Sequence, residues 1–328
     1  MKTLLSAALV WLSILAAAAQ GGPAVIPRFW VFGGDYVRLE DWARSRGGLV
    51  SWTVPRQEVK VSLPGGALIF NVDSRKARVR GVHVSLSAPV AYRHGSAYIG
   101  ALDVTSALNP LLSPSLNPAG RQIKTIVLDP GHGGKDPGNM EGVRQEKHYT
   151  LTFAREVSEL LTQAGFKVSL TRNTDSLIDL PVRPDIARRR GADLFISLHF
   201  NSADGPGSGS VKGSEVYCLT PARASSTNSR GEGGGAGASP GNRFDAKNVL
   251  LAWELARALS QRPGVEDRGV KRARYAVLRT AEMPAVLIEA AFMTHPADAR
   301  RIYDPALRRQ MAQAIVDGVL AYRKRVER

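Results

Sequence analysis

Cysteine is nearly absent from this chain of 328 residues. The one cysteine, Cys218, cannot form a disulfide within the chain, and a cysteine-rich zinc module cannot be built. Cys218 lies in the apolar run 215–219, which predicts a strand. A small buried residue is the expected role for a lone cysteine in such a run. Disulfide scaffolds and Cys-rich metal modules are therefore excluded.

Acidic residues are also scarce relative to basic ones. The chain has 29 Asp and Glu against 44 Lys and Arg, which gives a net charge of +15. This surplus favours an anionic partner, which could be nucleic acid, a membrane surface or an acidic polymer. The composition, with 44% hydrophobic and 22% charged residues, is that of a globular protein. It excludes a wholly disordered chain and a fibrous repeat.

Long hydrophobic runs are missing except at the N-terminus. Residues 1–21 combine Lys2, an apolar run from Leu4 to Leu15 and small residues up to Gly21, which is the layout of a secretory signal peptide. A membrane anchor is the alternative, but the run is shorter than the roughly 18 residues of a span. We expect cleavage, export to the periplasm or the extracellular cell wall, and no stable membrane span afterwards. Export disfavours nucleic acid as the partner and favours an anionic envelope polymer.

Residues 24–108 show short alternating runs separated by Gly and Pro, which predict a small β-rich domain. The pattern loosely resembles copper-amine-oxidase-like N-terminal modules, and a wall-binding or partner-binding role is the expectation. It implies no copper, because His83 and His94 lack neighbouring ligands and are interpreted as structural. Residues 109–121 contain three prolines and predict a linker.

Residues 122–328 alternate strand and helix patterns. This alternation predicts an α/β catalytic domain whose mostly parallel sheet is flanked by helices, and the preceding small β-rich domain completes the architecture. The predicted helices include Lys147–Ala164, Pro181–Arg190, Asn242–Ser260 and Ala306–Arg325. Residues 222–241 form a Gly/Ser-rich loop within this domain, whose composition is unlike that of a helix.

Polar residues follow three predicted strands of this domain. His132 follows the first strand, His199 ends a later one and Glu289 ends the last, while Glu146 opens the first long helix. Chemistry in such sheets gathers at the carboxyl ends of the strands. Two imidazoles and one carboxylate can bind zinc and leave a position for water. Spacing alone also allows two histidines that are merely hydrogen-bonded, so both interpretations stay open at this point.

Residues 122–326 resemble the zinc-dependent N-acetylmuramoyl-L-alanine amidases, which cleave peptidoglycan between the lactyl group of the glycan and the stem peptide. The matching segments occur in order along the chain: 126–134 with 136–138, 146–147 with Leu151, 165–172, Leu180 with Arg183 and Ala187, 192–201, 213–217, 268–271, and 277–279 with 283–292.

The resemblance implies that His132, Glu146 and His199 bind Zn²⁺ and that Glu289 is the general base. It places Asn201 near the site, and it gives Arg172 and Arg183 structural or substrate-facing roles. Peptidoglycan is the implied partner, and a cell-envelope activator protein is allowed. An endopeptidase on the same scaffold and a non-catalytic wall-binding protein are the competing classes. A cap for the helix near residue 296 is the expected role of His295.

Overall fold

The computed structural model describes residues 26–227 and 237–327. The predicted signal peptide, residues 1–21, lies outside the described residues, as does part of the 222–241 loop. The helical segments are α1 (Leu39–Arg44), α2 (residues 101–112), α3 (Glu146–Gln163), α4 (Val182–Arg189), α5 (Asp245–Ser260), α6 (Ala276–Arg279), α7 (Pro296–Tyr303) and α8 (Pro305–Val326). No described helix combines the length and hydrophobicity that crossing a bilayer requires.

The strands fall into an N-terminal and a C-terminal group. The first group is β1 (Arg28–Val31), β2 (Gly34–Arg38), β3 (Leu49–Val54), β4 (Glu58–Leu63), β5 (Gly66–Asn71), β6 (Lys76–Val79), β7 (Val82–Ser85), β8 (Ala91–Arg93) and β9 (Ser96–Gly100). The second is β10 (Thr125–Pro130), β11 (Met140–Glu141), β12 (Arg144–Gln145), β13 (Lys167–Leu170), β14 (Leu194–Asn201), β15 (Ser214–Leu219), β16 (Asp267–Ala273) and β17 (Ala285–Phe292).

The C-terminal strands form a sheet that helices cover on its faces. Its order is β13-β10-β14-β17-β15-β16, and each neighbouring pair is parallel except β17 with β15. Strands that are covered on both faces have nearly continuous apolar sequences. Residues 194–198 of β14 fit this rule, because all five are buried. The α/β class with a mostly parallel sheet, preceded by a β-rich region, is thus confirmed.

The sheet continues into the N-terminal region. β16 pairs in parallel with β7, through Val270 and Val84, and β6, β5, β4 and β3 follow in antiparallel order. Trp253 of α5 donates from Nε1 to the carbonyl oxygen of Val79 at 3.2 Å, and both residues belong to one buried hydrophobic cluster. The division of the chain into separate domains at residues 109–121 stays a prediction. One hydrogen-bonded sheet and one hydrophobic core contain residues from both sides of this segment.

Part of the predicted linker is helical. Asn109–Leu112 closes α2, with Leu111 buried. The carbonyl oxygen of Leu111 accepts a hydrogen bond from Arg325 Nη2 at 2.7 Å. The segment after it is held in the same way, because the amide of Asn117 donates to the carbonyl oxygen of Val326 at 2.7 Å. Residues 109–117 therefore pack along the end of α8.

The observed helices agree with the periodicity to within a few residues. In α3 the buried positions include Leu151, Ala154, Val157 and Leu161, and Gly165 takes a φ of +89° just after the helix. The helix predicted from residue 242 begins later, at residue 245. Residues 240–244 form a 3₁₀ turn, and its first turn is closed by a reciprocal capping box between Ser239 and Asn242.

Candidate active site

Three parallel strands end beside one another at the candidate site. β10 leads to His132, β14 carries His199 and β17 carries Glu289, and the Cα atoms of His199 and Glu289 are paired across the two strands. Parallel neighbours bring their carboxyl ends to one edge of the sheet. Glu146, the first residue of α3, reaches the same edge. The structure therefore brings together the four residues that the sequence analysis singled out there.

His132, Glu146 and His199 form a compact group. His132 Nε2 lies 3.0 Å from Glu146 Oε2, and His199 Nδ1 lies 3.0 Å from Glu146 Oε1. One ligand atom from each residue lies within 4.8 Å of the others, so the group could hold a metal ion. The Glu146 side chain is buried, whereas the two imidazoles are partly exposed. The site therefore opens to solvent on the histidine side.

The electrostatics of this group suit a cation. Burial acts to raise the pKa of Glu146, but hydrogen bonds and charge from His132 and His199 outweigh it and lower the pKa. Burial acts to lower the pKa of His132, and Glu146 and Asp136 more than offset this, so it is raised. Two nitrogen donors and one carboxylate match the preferred zinc ligands, and partial exposure leaves room for a water ligand. The residues present therefore fit a catalytic zinc site.

His132 is oriented by its second ring nitrogen. Its Nδ1 lies 2.8 Å from Asp136 Oδ2, which leaves Nε2 to face Glu146. A carboxylate behind a ligating histidine fixes the ring and raises its basicity. His132 also has a left-handed backbone, with a φ of +60°. This strained conformation needs support from the surrounding structure.

Arg172 and Arg183 supply that support. Both side chains are buried, and both donate to the carbonyl oxygen of Pro130, at 3.1 and 3.0 Å. Arg172 also donates to the carbonyl oxygen of Gly131 at 2.7 Å, and Arg183 donates to that of His132 at 3.0 Å. The two arginines thus contact the backbone of the loop that presents His132. Their burial and contacts favour the structural over the substrate-facing interpretation.

Two glycines let the ligands approach the backbone. A Cβ atom at Gly131 would lie 2.3 Å from His199 Cε1. At Gly138 it would lie 2.6 Å from both Glu146 Oε2 and His132 Cδ2, and the φ there is +68°. No other residue fits either position without displacing a member of the candidate metal group.

Glu289 has the environment of a general base. Its Oε2 is buried and has no hydrogen-bond partner among the described residues. Burial, together with the charges of Glu146 and Glu215, raises the pKa of Glu289 well above its usual range, and Lys271 acts in the opposite direction. A raised pKa brings a carboxylate closer to working pH, where it can accept and return a proton.

A polar network beside Glu289 had no predicted role. Glu215 pairs with Glu289 across β15 and β17, and its Oε1 accepts from Arg268 Nε at 2.5 Å and Lys271 Nζ at 2.6 Å. Asn201 Nδ2 lies 3.4 Å from Glu215 Oε2, so the predicted site residue Asn201 contacts this network. The only sequence signal was the resemblance, whose segments 213–217 and 268–271 contain these residues.

Three residues outside the site that the sequence analysis discussed have structural roles. Cys218 is fully buried in β15, as predicted. His295 Nδ1 accepts from the amide of Ala297 at 3.2 Å, which confirms its capping role before α7. His83 contacts Asp267 at 3.0 Å at the junction of the two strand groups, which agrees with a structural role.

The family match covers most of the C-terminal region. Residues 126–321 match the family described as N-acetylmuramoyl-L-alanine amidase, Amidase_3. The chain belongs to this family. Members similar to it include the amidase AmiC of Neisseria meningitidis, which is 36% identical over 68% of this chain. The amidase AmiA of Escherichia coli is 33% identical over 61% of this chain and 76% of its own length.

Solved amidase structures share the fold. AmiC2 of Nostoc punctiforme aligns with a TM-score of 0.51 and 32% identity, over 62% of this chain and 98% of that one. An amidase from Clostridium difficile 630 has a TM-score of 0.51 and 28% identity, over 62% and 97%. The alignment to Neisseria AmiC covers 58% of that relative, so the chain spans less than two thirds of it.

Proposed function

We propose that this family member hydrolyses peptidoglycan at the amide between the lactyl group of N-acetylmuramic acid and L-alanine of the stem peptide. The observation that carries the proposal is the convergence of His132, Glu146, His199 and Glu289 at one sheet edge. The family match supports the same bond as the target.

We propose that His132, Glu146 and His199 hold Zn²⁺. A zinc ion in such a site acidifies water and polarises a carbonyl group. Asp136 orients His132, and Arg172 and Arg183 hold the loop that carries it.

Glu289 handles the protons in this proposal. Its unpaired Oε2 accepts a proton from water as the lactyl carbonyl is attacked, and then returns a proton to the leaving nitrogen of L-alanine. Asn201 and Glu215 flank it on the neighbouring strands, where they fix the polar surroundings of the carboxylate.

The proposed place of action is the cell envelope outside the cytoplasm. The signal-peptide pattern of residues 1–21 supports export, and the net charge of +15 supports binding to anionic wall material. Such binding should weaken as salt increases. Residues 24–108 are proposed as a wall or partner contact, which allows an activator protein.

The test is a digest of purified peptidoglycan, analysed by mass spectrometry. We expect stem peptides that begin with L-alanine, together with glycan that carries free lactyl carboxylates. A chelator should abolish both products and added zinc should restore them. Glu289→Gln should lose activity, whereas Glu282→Gln, at an exposed carboxylate, should retain it.

Other products would contradict the proposal. Cuts inside the stem peptide would indicate an endopeptidase built on the same metal site. Binding to the wall without any products, in the presence of zinc, would indicate a non-catalytic binding protein or an enzyme that requires an activator protein. Activity retained in Glu289→Gln would remove Glu289 as the base.

A further inference from the structure

The guanidinium group of Arg268 lies at the side of the candidate site with much of its hydrogen-bonding capacity unused. Its Nε donates to Glu215, whereas neither Nη group has a hydrogen bond to any residue that the structure describes. The side chain is 29% exposed, which distinguishes it from the fully buried Arg172 and Arg183 nearby. Arg268 therefore has free donors that solvent or a ligand can reach.

The orientation of Arg268 is fixed by two contacts. Its Cζ lies 5.1 Å from the centre of the Phe292 ring, and Glu215 anchors its Nε. Stacking on an aromatic ring and one anchored nitrogen hold the planar group in place. A guanidinium held in this way is preorganised to bind a carboxylate through two parallel hydrogen bonds.

The sheet register places this group next to Glu289. Glu215 and Glu289 are direct partners on β15 and β17, so their side chains lie on the same face of the sheet. Arg268 reaches Glu215 from the start of β16, the next strand. Glu215 lies one strand spacing from Glu289 and Arg268 lies on the strand beyond it, so the anchored end of Arg268 is between one and two strand spacings, roughly 5–10 Å, to the side of Glu289.

The charged groups around Glu215 carry a net positive charge. Glu215 accepts from both Arg268 and Lys271, so two cations share one carboxylate. Tyr217 donates its hydroxyl to Glu215 Oε2 at 2.7 Å, which helps to satisfy the buried carboxylate without adding charge. Lys271 faces Glu289 as well as Glu215, and Arg268 is the most exposed of the three charged side chains.

We propose that Arg268 binds a carboxylate of the stem peptide, on the residue that follows L-alanine. This inference rests on the proposed function. Near the scissile amide the glycan side carries neutral hydroxyl and acetamide groups, whereas the anionic groups of the substrate lie on the peptide side. The next Cα lies about 3.8 Å beyond the alanine Cα and the carboxylate lies beyond that, so the carboxylate can span the one to two strand spacings between Glu289 and the anchored end of Arg268. Arg268 would then select stem peptides with a free carboxylate at that position.

The test compares two matched substrates. In both substrates the γ-carboxyl group of the second residue is blocked as a methylamide. The N-acetylmuramoyl-L-alanyl-D-glutamate form then carries the free α-carboxylate as its single carboxylate on that residue, and the isoglutamine form carries a neutral amide in its place. We expect kcat/KM of the wild-type protein to favour the free acid by about 10- to 100-fold, the usual worth of a hydrogen bond to a charged group. Arg268→Gln should reduce the preference to less than about threefold, mainly by slowing hydrolysis of the acid.

Two variants serve as controls. Arg268→Lys keeps the charge but cannot bind a carboxylate in a bidentate manner, so an intermediate preference for the acid substrate is expected. Arg309→Gln removes one charge from an exposed ion pair with Glu159 on the helical layer, and it should keep the full preference. Glu215 retains Lys271 and Tyr217 as donors in Arg268→Gln, so this variant should fold normally.

Several outcomes would overturn the inference. A wild-type protein that does not distinguish the two substrates would contradict it. An equal loss on both substrates in Arg268→Gln would also contradict it, because Arg268 would then act only through Glu215.

A binding measurement separates this inference from the proposed function. The dipeptides L-alanyl-D-glutamate and L-alanyl-D-isoglutamine, each with its γ-carboxyl group blocked as a methylamide, are titrated into the full chain by calorimetry, without any turnover. Preferential binding of the acid that is lost in Arg268→Gln would support the anionic subsite even if neither substrate were hydrolysed. Equal binding of both dipeptides to the wild-type protein would overturn it.

Discussion

Breaking the buried ion pair of Arg183 and Asp129 should strongly destabilise the candidate site. Arg183 Nη1 lies 3.0 Å from Asp129 Oδ1, and both side chains are almost fully buried. Arg183→Met would leave a buried carboxylate whose remaining direct side-chain donors, among the residues that the structure describes, are the hydroxyl groups of Thr171 and Ser197. Removing one partner of a buried pair costs about 3–5 kcal/mol. Against a total stability of about 5–15 kcal/mol, this is a severe loss.

The assay is guanidinium unfolding followed by circular dichroism, with chelator present so that metal binding does not contribute. Adding Asp129→Asn to Arg183→Met removes the uncompensated charge and should recover about 2 kcal/mol or more. Arg188→Met, on the same helix but exposed, should change the free energy of unfolding little, because exposed ion pairs contribute weakly. Equal losses of stability in Arg183→Met and Arg188→Met would refute this prediction, as would a double variant that is no more stable than Arg183→Met.

Three further predictions concern other parts of the chain. Gly138→Ala should lower zinc content, measured by mass spectrometry of the metal, by at least about tenfold, because the new Cβ would collide with Glu146 and His132. Glu289→Gln should lower kcat by at least about 100-fold with unchanged zinc content, and equal kcat would refute its role. Burial raises the pKa of Asp245 to about 6, so its stabilising contribution is greatest below about pH 4 and declines as pH rises to 6. Asp245→Asn should therefore gain about 1–3 kcal/mol of unfolding free energy relative to wild type between pH 4 and 7, and a pH-independent difference would contradict this.

Local sequence patterns predicted the helices better than the strand partners. The spacing of Leu151, Ala154, Val157 and Leu161 sets the buried face of α3, and Gly165 ends it. Nothing comparable predicted that β16 pairs with β7. That pairing joins positions nearly 190 residues apart, Val84 and Val270, and each strand alone is compatible with several partners.

The candidate site was predicted in a similarly uneven way. His132, Glu146, His199 and Glu289 stand out because polar residues follow apolar strands, but only the resemblance favoured a metal site over hydrogen-bonded histidines. The Glu215 network gave no local signal. Its cations lie 53 and 56 residues away along the chain, and a buried glutamate within an apolar strand cannot be distinguished from an exposed one by pattern alone.

The pairing of β7 with β16 also determines whether the C-terminal region can be produced without the N-terminal strands. A chain shortened to begin at Gln122 would leave the edge of β16 without a partner and would uncover Trp253, whose indole contacts β6. An uncovered strand edge of this kind is a template for association with other chains. The N-terminal strands therefore act as a cover for the catalytic sheet, and their loss should show as aggregation before it shows as a change in chemistry.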